Sequence, residues 1–442
     1  MKRGGHRPIG PVFINRDACK YAGHPARERA WSPVSKSGPY TNRRGPGNLM
    51  RNTMERLKIA FFCWESLYAE RVGGLANAAT NLAETLARHH EVHFFTRGEG
   101  GDTEVNGVRY HYCRPSGEGI VRYCSDMSRR MIDRFDEFDT PSFDLLHFHD
   151  WHVVDALRRL RDRETIFTYH STEFGRNGNA SSRRWPFPEI SGIERCGASI
   201  AKRVTAVSST LRREAMSLYD IPDWKIDVVA NGIVPGHYQA DVDPEAVKRR
   251  YGFDPDSPLI LFVGRLAWQK GPDMLVDAAP HLLREHADGQ FAFIGDGQMR
   301  RGLETRARSL PIRFLGRLDD ADYVRLLNAS DIVAIPSRNE PFGLVLLEAW
   351  SAGRCVVASD VGGLSENIEH GTDGVKVQPH PDSIAEGLSL AADSSERSLS
   401  MGREGLDKVK KEFQWSRVAE RIEESYRKLA DQDPLPRRLT AA

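Results

Sequence analysis

The sequence predicts an α/β protein with two parallel sheets that face each other across a cleft. Short, mainly apolar segments, such as residues 57–62, 259–263 and 331–335, are typical of strands that are buried on both faces. Each of these segments runs into a loop and then into a helical pattern, as in a sheet wound with crossover helices. With 442 residues, the chain is long enough for two domains that each have a core.

The same alternation recurs along both halves of the chain. A helix is predicted from Leu75 after the first strand, and another at 272–283 after the strand at 259–263. A last helix is predicted at 415–429, where apolar residues repeat at spacings of three and four. The remaining strands are predicted at 92–96, 108–112, 145–148, 165–169, 204–207, 226–229, 312–316 and 355–358.

Charge and cysteine content exclude several classes of protein. The chain has 62 basic and 61 acidic residues, but residues 1–56 hold 12 Lys and Arg against 3 Asp and Glu, so the rest carries a net −8. A mildly acidic body does not suit nucleic-acid binding. The six cysteines form no Cys-x-x-Cys pair, and no apolar run reaches the ~20 residues of a membrane span. These features favour a reducing, cytoplasmic location.

Both ends of the chain differ in character from the body. Residues 1–56 are rich in Gly, Pro and Arg, lack apolar periodicity and are predicted to be a disordered basic extension. They contain no apolar core of a signal peptide. Folded sequence starts at Leu57, so we expect Met54 to be the true initiator. Residues 431–442 are predicted to be a frayed tail.

A glutamate follows the carboxyl end of the strand at 331–335. Glu340 lies in the loop after this strand, where open α/β sheets bind ligands. The next helix is predicted to open at Pro341–Phe342 and to close at Gly353. Glu340 is therefore a candidate for ligand binding.

A second glutamate lies inside that predicted helix. Glu348 is surrounded by apolar residues, so its charge needs a partner. The partner is either Arg338 or Arg354 in an ion pair, or the hydroxyl groups of a ligand. Main-chain N–H groups near Gly343 and Leu344, at the start of the helix, favour a bound anion.

Two further loops at strand ends carry groups suited to phosphate. Gly73 and Gly74 lie at a strand-to-helix turn, where they either direct N–H groups toward an anion or form only a tight turn. Arg265 and Lys270 lie in a glycine-flanked loop after the strand at 259–263. These two cations either neutralise a diphosphate or are solvated at the surface.

Histidines are dense at the end of the strand at 145–148. His147 and His149 alternate along a strand, and acidic partners are few, so no metal site is predicted. His170 begins the loop after the next strand and either stabilises the structure or lines a ligand site. Trp151 is either a stacking platform for a sugar ring or part of the core.

Together, these motifs resemble those of the retaining glycosyltransferases of family 4, which have the GT-B fold, and of the related glycogen and starch synthases. The resemblance covers about residues 57–430, with the motifs in the family's order. The matching segments are Arg71-Val72-Gly73-Gly74-Leu75, His147-Phe148-His149-Asp150-Trp151, Asn231-Gly232-Ile233, Gly264-Arg265-Leu266 with Lys270-Gly271, and Glu340 to Glu348 with Pro341-Phe342-Gly343-Leu344 after the first glutamate.

The resemblance implies two Rossmann-like domains with parallel sheets that face each other across a cleft. An acceptor domain would span residues 57–235 and a nucleotide-sugar donor domain residues 236–412. A helix at 413–430 would cross back onto the first domain.

The resemblance also implies roles for individual residues. Glu340 would contact the donor sugar and Glu348 the nucleotide ribose. Asp150 would border the acceptor and donor sugars, and the main-chain carbonyl of His170 would face the anomeric carbon. Arg71 stands where the family has a lysine, which puts the role of that position in doubt. The implied donor-binding residues are Gly73, Gly74, Phe342, Gly343 and Leu344, with Arg265 and Lys270 on the diphosphate.

We therefore expect a retaining hexosyltransferase that needs neither a metal ion nor a cofactor. It would move a hexose, with glucose favoured, from a nucleotide-diphosphate sugar to a saccharide acceptor. A lipid, a sugar phosphate or a cell-surface polysaccharide is the alternative acceptor, and any membrane contact would be peripheral. Two other classes compete: a sugar-nucleotide epimerase with the same two-domain architecture, and a catalytically silent sugar-binding protein.

Overall fold

The computed structural model describes residues 56–432, with side chains as far as Leu429. The expected initiator Met54, all but the last residue of the predicted basic extension, and residues 433–442 of the predicted tail lie outside the described residues.

An eight-stranded sheet forms the first domain. Its strands are β1 (Lys58–Phe62), β2 (Glu91–Arg97), β3 (Thr103–Val105), β4 (Val108–Cys113), β5 (Leu145–His149), β6 (Thr165–Tyr169), β7 (Arg203–Ala206) and β8 (Ile226–Val228). They lie in the order β3-β4-β2-β1-β5-β6-β7-β8. All pairs are parallel except β3 with β4, an antiparallel edge that the sequence analysis did not predict.

A six-stranded parallel sheet forms the second domain. Its strands are β9 (Leu259–Val263), β10 (Gln290–Ile294), β11 (Ile312–Gly316), β12 (Ile332–Ile335), β13 (Cys355–Ser359) and β14 (Val375–Val377). They lie in the order β11-β10-β9-β12-β13-β14. The prediction of two parallel sheets is confirmed, although β14 was not predicted.

Helices connect the parallel strands in both domains. In each sheet the chain first builds outward on one side of the initial strand and then on the other. Right-handed crossovers therefore place helices on both faces. The helices are α1 (Gly74–Leu86), α2 (Ile120–Asp136), α3 (Val154–Arg159), α4 (Glu173–Arg176), α5 (Phe187–Ile200), α6 (Ser209–Tyr219), α7 (Pro244–Arg250), α8 (Pro272–Leu282), α9 (Arg300–Arg306), α10 (Asp320–Ala329), α11 (Leu344–Ser351), α12 (Gly362–Asn367), α13 (Pro381–Ala392), α14 (Ser395–Glu412) and α15 (Trp415–Gln432).

The strands are buried on both faces, as their apolar sequences predicted. All five residues of β1 are buried, and the Phe62 ring stacks on Phe95 of β2 and on Phe148 of β5, with centroids 5.2 and 4.6 Å apart. Aromatic rings on neighbouring strands thus form a continuous layer of the core.

The chain passes between the domains at two adjacent points. Ile233 N–H donates to the Phe413 carbonyl at 2.8 Å, so the outgoing and returning segments run side by side. The returning segment leads into α15, which packs on α1 of the first domain. Tyr426 on this helix lies 2.9 Å from His147 Nδ1, and Lys428 forms an ion pair with Asp227 at 2.8 Å.

None of the helices in the described part of the chain combines the length and the apolar character that crossing a membrane requires.

Candidate active site

The loop between β12 and α11 holds a buried carboxylate at the carboxyl end of the second sheet. Lys270 Nζ donates to Glu340 Oε1 at 2.9 Å and to Oε2 at 2.7 Å, and Ser337 Oγ donates to Oε2 at 3.0 Å. Only 8% of Glu340 is exposed, whereas the Lys270 side chain is 23% exposed, so water reaches this ion pair mainly from the lysine side. The sequence analysis selected Glu340 and Lys270 separately, and the structure joins them directly.

Glycines allow other segments to approach the main chain of Glu340. A Cβ atom on Gly362 would lie 2.0 Å from the Glu340 carbonyl oxygen, and Gly363 N–H donates to that oxygen at 2.8 Å. Gly343 has a φ of 99°, a left-handed conformation, so α11 begins at Leu344, later than predicted. Close contacts within the second domain therefore hold one side of the Glu340 loop backbone.

Glu348 lies on α11 and pairs with two tyrosines. Tyr323 Oη donates to Glu348 Oε2 at 2.5 Å, and Tyr238 Oη donates to Oε1 at 3.3 Å. Burial raises the pKa of Glu348. The alternative of an ion pair is wrong, because Arg338 pairs with an aspartate of α8 and Arg354 donates to main-chain carbonyls.

An open cavity of about 570 Å³ lies between loops at the carboxyl ends of the two sheets. Arg265, Gln269 and Arg317 line it from the second domain, and Asn177 lines it from the first. Arg265 Nη2 donates to Gln269 Oε1 at 3.0 Å. Within the described residues, neither Arg265 nor Arg317 forms an ion pair with an acid, so both guanidinium groups are available to an anionic ligand.

The glycine turn of the first domain directs two N–H groups at a carboxylate of the chain itself. Val72 N–H and Gly73 N–H donate to Glu65 Oε2 at 2.5 and 3.0 Å. Burial raises the pKa of Glu65. A Cβ atom on Gly74 would lie 2.5 Å from Leu344 Cδ1. The starts of α1 and α11 thus meet across the cleft, and a larger residue at position 74 would require the Leu344 side chain to move.

Polar contacts between the domains flank this meeting point. Arg71 Nη1 forms an ion pair with Asp320 Oδ2 at 3.0 Å. Arg71, which stands where the family has a lysine, therefore has a partner across the cleft. Asn339, next to Glu340, donates through Nδ2 to Asn179 Oδ1 at 2.7 Å. The loop that carries Glu340 therefore touches the segment between α4 and α5.

Three titratable side chains meet at the carboxyl ends of β5 and β6. His149 Nδ1 and His170 Nε2 are 3.1 Å apart. Burial lowers the pKa of His170 to about 3 and that of His149 well below its usual range, so both rings are neutral. Asp150, the next residue, has a φ of 64°, a conformation that is rare outside glycine and concentrated at functional sites.

Asp150 lacks a full counter-charge. Arg176 Nη1 lies 3.7 Å from its Oδ2, but the same guanidinium also pairs with Glu173 at 3.0 Å and with the buried Glu194. Asp150 Oδ1 is buried without a hydrogen-bond partner in the described part of the chain. Burial therefore raises the pKa of Asp150 to about 7.

The remaining candidates near β5 belong to the core. His147 lies 2.9 Å from Tyr426 Oη and 2.7 Å from Thr168 Oγ1. Trp151 is 4% exposed and stacks on His152, so of its two alternatives the structure supports core packing. Among residues 56–432, no group of three or more His, Cys, Asp and Glu side chains is placed to hold a metal ion.

Comparisons with known proteins agree with this architecture. Residues 72–236 match the family model "Glycosyltransferase Family 4", and residues 243–408 match "Glycosyl transferases group 1". An uncharacterized glycosyltransferase of Methanocaldococcus jannaschii is 34% identical over 388 residues, which are 84% of this chain and 98% of that protein. The chain belongs to glycosyltransferase family 4. The transferase is also 30% identical to a glycogen synthase of Mycobacterium tuberculosis, over 66% of this chain and 71% of the relative.

Another relative and one solved structure extend the comparison. A D-inositol 3-phosphate glycosyltransferase of Corynebacterium kroppenstedtii is 31% identical, over 67% of the transferase and 69% of the relative. The catalytic domain of Arabidopsis thaliana starch synthase IV, bound to ADP and acarbose, is 18% identical and has a TM-score of 0.70 over 85% of this chain and 100% of that one. The GT-B fold predicted for the transferase is confirmed.

The structure brings some of the predicted site residues into direct contact and buries the ring of another. Glu340 and Lys270 are in direct contact, and Gly74 meets Leu344. The ring of Phe342 is buried and packs edge-on against Phe413 at 6.1 Å. Only its main chain is left for the predicted contact with a donor.

Several site residues of the transferase were missed by sequence reasoning. Ser337 is a short polar residue in a loop that already contained a stronger candidate. Tyr238 and Tyr323 pair with a glutamate that lies 110 and 25 residues further along the chain. Glu65 was detectable as an acid directly after a buried strand, the same signal that marked Glu340.

The raised pKa of Asp150 predicts a pH-dependent contribution to stability. In the unfolded chain the pKa of Asp150 is about 3.9. The stability that its protonated carboxyl contributes is fully present below that pH, and it is lost as pH rises toward the folded-state pKa of about 7. The side chain at position 150 in the variant Asp150→Asn stays neutral at every pH. The free energy of unfolding of the variant minus that of the wild type should therefore increase by about 1–4 kcal/mol as pH rises from 4 to 7. Urea unfolding across this range measures the difference. Exposed Asp162→Asn is the control, and a flat difference for Asp150→Asn would contradict the assignment.

Proposed function

We propose that this transferase moves a hexose from a nucleoside-diphosphate sugar to a saccharide acceptor, with retention of configuration and without a metal ion. The observation that carries the proposal is the ion pair at the cleft between the buried Glu340 and the partly buried Lys270. A fixed carboxylate stabilises the positive charge that develops at an anomeric carbon, and fixed cations stabilise a departing diphosphate.

The donor site is proposed from the cations and helix starts on the second domain. Two of the three N–H bonds of the Lys270 ammonium are used by Glu340, which leaves one for a phosphate oxygen. Arg265 adds an accessible guanidinium, and the start of α11 adds partial positive charge near Leu344. Glu348 is proposed to accept from the ribose hydroxyls. The ADP in the starch synthase structure supports a nucleotide donor.

The proposed reaction needs no covalent intermediate on the protein. The bond between the anomeric carbon and the diphosphate oxygen breaks while the acceptor oxygen attacks from the same face. The acceptor proton passes to the departing diphosphate. His170 contributes its main-chain carbonyl near the anomeric carbon, and Asp150 borders the two sugars. The cations take over the charge neutralisation that a metal ion provides in other enzymes.

An exposed tryptophan at the cleft edge of the first domain favours a saccharide acceptor. Trp185 is 65% exposed and lies before α5, at the edge where β6 ends. A Cβ atom on Gly119, before α2 at the same edge, would lie 3.4 Å from its ring. Tryptophan is enriched at binding interfaces, and the apolar face of its ring offers a surface on which a sugar ring can pack. The similarity to a D-inositol 3-phosphate glycosyltransferase makes a phosphorylated polyol or sugar the second candidate acceptor.

The two glutamates should fail in different ways. Glu348→Gln loses a charge on ribose hydroxyls, which change little during the reaction, so it should mainly raise the donor KM. Glu340→Gln weakens stabilisation of the charge at the anomeric carbon and should lower kcat by roughly 10²-fold or more. Steady-state kinetics on both variants make the comparison.

Circular dichroism controls for folding in both glutamine variants, which conserve side-chain volume. A folded Glu340→Gln variant with near wild-type kcat would remove this loop from the sugar site.

Arg265 should contribute to nucleotide affinity. A charge-assisted hydrogen bond is worth roughly 1.5–3 kcal/mol, so Arg265→Ala should weaken binding of a nucleoside diphosphate about tenfold or more. Calorimetry in EDTA measures this and tests metal independence in the same titration. Arg284→Ala, on the surface of the same domain, is the control. Affinity that collapses in EDTA and returns with Mg²⁺ would refute the metal-free proposal.

Trp185 should affect the acceptor and not the donor. Trp185→Ala should raise the KM for a maltooligosaccharide about tenfold, the scale of one lost stacking contact, while donor hydrolysis stays unchanged. Trp224 is a matched control, because it is 61% exposed on the same domain but precedes β8, at the opposite edge of the sheet. Equal effects in both variants would remove Trp185 from the acceptor site.

A further inference from the structure

A serine of the first domain holds the peptide that follows Glu340. Ser208 Oγ donates to the Pro341 carbonyl at 2.6 Å, across the cleft. The same oxygen accepts from Leu211 N–H at 3.1 Å, as the N-cap of α6. One hydroxyl group thus caps the start of a helix in the first domain and holds the chain next to Glu340 in the second.

A glutamate of the second domain also contacts the start of α6. Glu366 Oε2 accepts from Ser209 N–H at 2.9 Å, and its Oε1 accepts from Thr210 N–H. These are free N–H groups of the first turn of α6, where the helix dipole favours a carboxylate. Glu366 lies on α12, whose Gly363 N–H holds the Glu340 carbonyl at 2.8 Å.

These contacts form a closed ring of hydrogen bonds, which we call the α6–α12 ring. It runs from α6 to the Glu340–Pro341 segment, on to α12 and back to α6. Its members are Ser208, Ser209, Thr210, Glu340, Pro341, Gly363 and Glu366. Three of its four hydrogen bonds cross between the domains, so the ring is complete only when the cleft is closed as in this structure.

We propose that Glu366 and Ser208 are positioning residues that couple closure of the cleft to the placement of Glu340. The proposal rests on the assignment of Glu340 to the donor sugar. When the domains meet, Ser208 fixes the carbonyl after Glu340, and Glu366 fixes the helix that holds the Glu340 carbonyl itself. When the domains part, both links break and the Glu340 loop loses its support from the first domain.

This coupling predicts a separation of kcat from donor binding. The nucleotide-binding side chains proposed above, Arg265, Lys270 and Glu348, all belong to the second domain and lie outside the ring. Loss of the ring should therefore leave the Kd for a nucleoside diphosphate within about threefold. It should lower kcat at least tenfold, because Glu340 is misplaced in the step that it assists.

The test uses substitutions in the full chain. Glu366→Ala and Ser208→Ala should each show the kcat loss, and Ser208→Thr should restore activity because it keeps both the cap and the donor. Ser394→Ala removes the N-cap of α14 and Glu386→Ala an exposed carboxylate of α13, with no contact across the cleft, so both should match the wild type. A kcat within twofold of the wild type in Glu366→Ala would overturn the proposal, as would an equal loss of nucleotide affinity.

A double substitution separates this proposal from the function on which it rests. In a Glu340→Gln background, Glu366→Ala should cost less than threefold in kcat, because its effect acts through the Glu340 carboxylate. A full additional loss of tenfold or more would overturn the coupling while leaving the role of Glu340 intact. Near wild-type kcat in Glu340→Gln alone would instead overturn the proposed function.

Discussion

The ion pair between Lys270 and Glu340 is the interaction on which the second domain's site depends. Removing Lys270 would leave the buried Glu340 carboxylate uncompensated, which costs about 3–5 kcal/mol in known cases. The pair forms because β9 and β12 are neighbours in the sheet, although the two residues are 70 positions apart in the chain. After β9 the chain builds toward β11, and it then returns to place β12 on the other side. The pair therefore lies at the topological switch point, where open α/β sheets bind ligands.

The first sheet repeats this geometry. Its chain builds from β1 toward β4 and then returns to place β5 on the other side of β1. The loop after β1 carries Glu65 and the turn at Gly73 and Gly74, and the loop after β5 carries Asp150. The topological switch points of both domains therefore lie at the cleft. Charge is distributed unequally between them. In the first domain, Arg176 is already shared among three carboxylates, whereas Arg265 of the second domain has no acidic partner in the described residues.

Sequence reasoning predicted the fold well because buried parallel strands leave a strong local signal. Strand ends also located the loops that hold Glu340, Lys270, Asp150 and His170, since ligand sites occur at those ends. What it could not predict were partners, because side-chain contacts depend on distances that no local pattern encodes. The apolar surroundings of Glu348 correctly indicated a need for hydrogen bonds, but its tyrosine partners come from distant segments. The late start of α11 follows from the left-handed Gly343, which the favourable Pro341–Phe342 pair concealed.

The side-by-side passage of the chain at Ile233 and Phe413 has a mechanical consequence. Two adjacent interdomain connections act as a single hinge line, about which the domains can rotate. Two widely separated connections would instead hold the domains at a fixed angle. Displacement about such a line grows with distance from it. The packed surfaces around Gly232 and Trp415 therefore shift little, while loops further from the line travel furthest for the same angle. A rotation about this line would thus open and close the cleft while the cores on either side keep their packing.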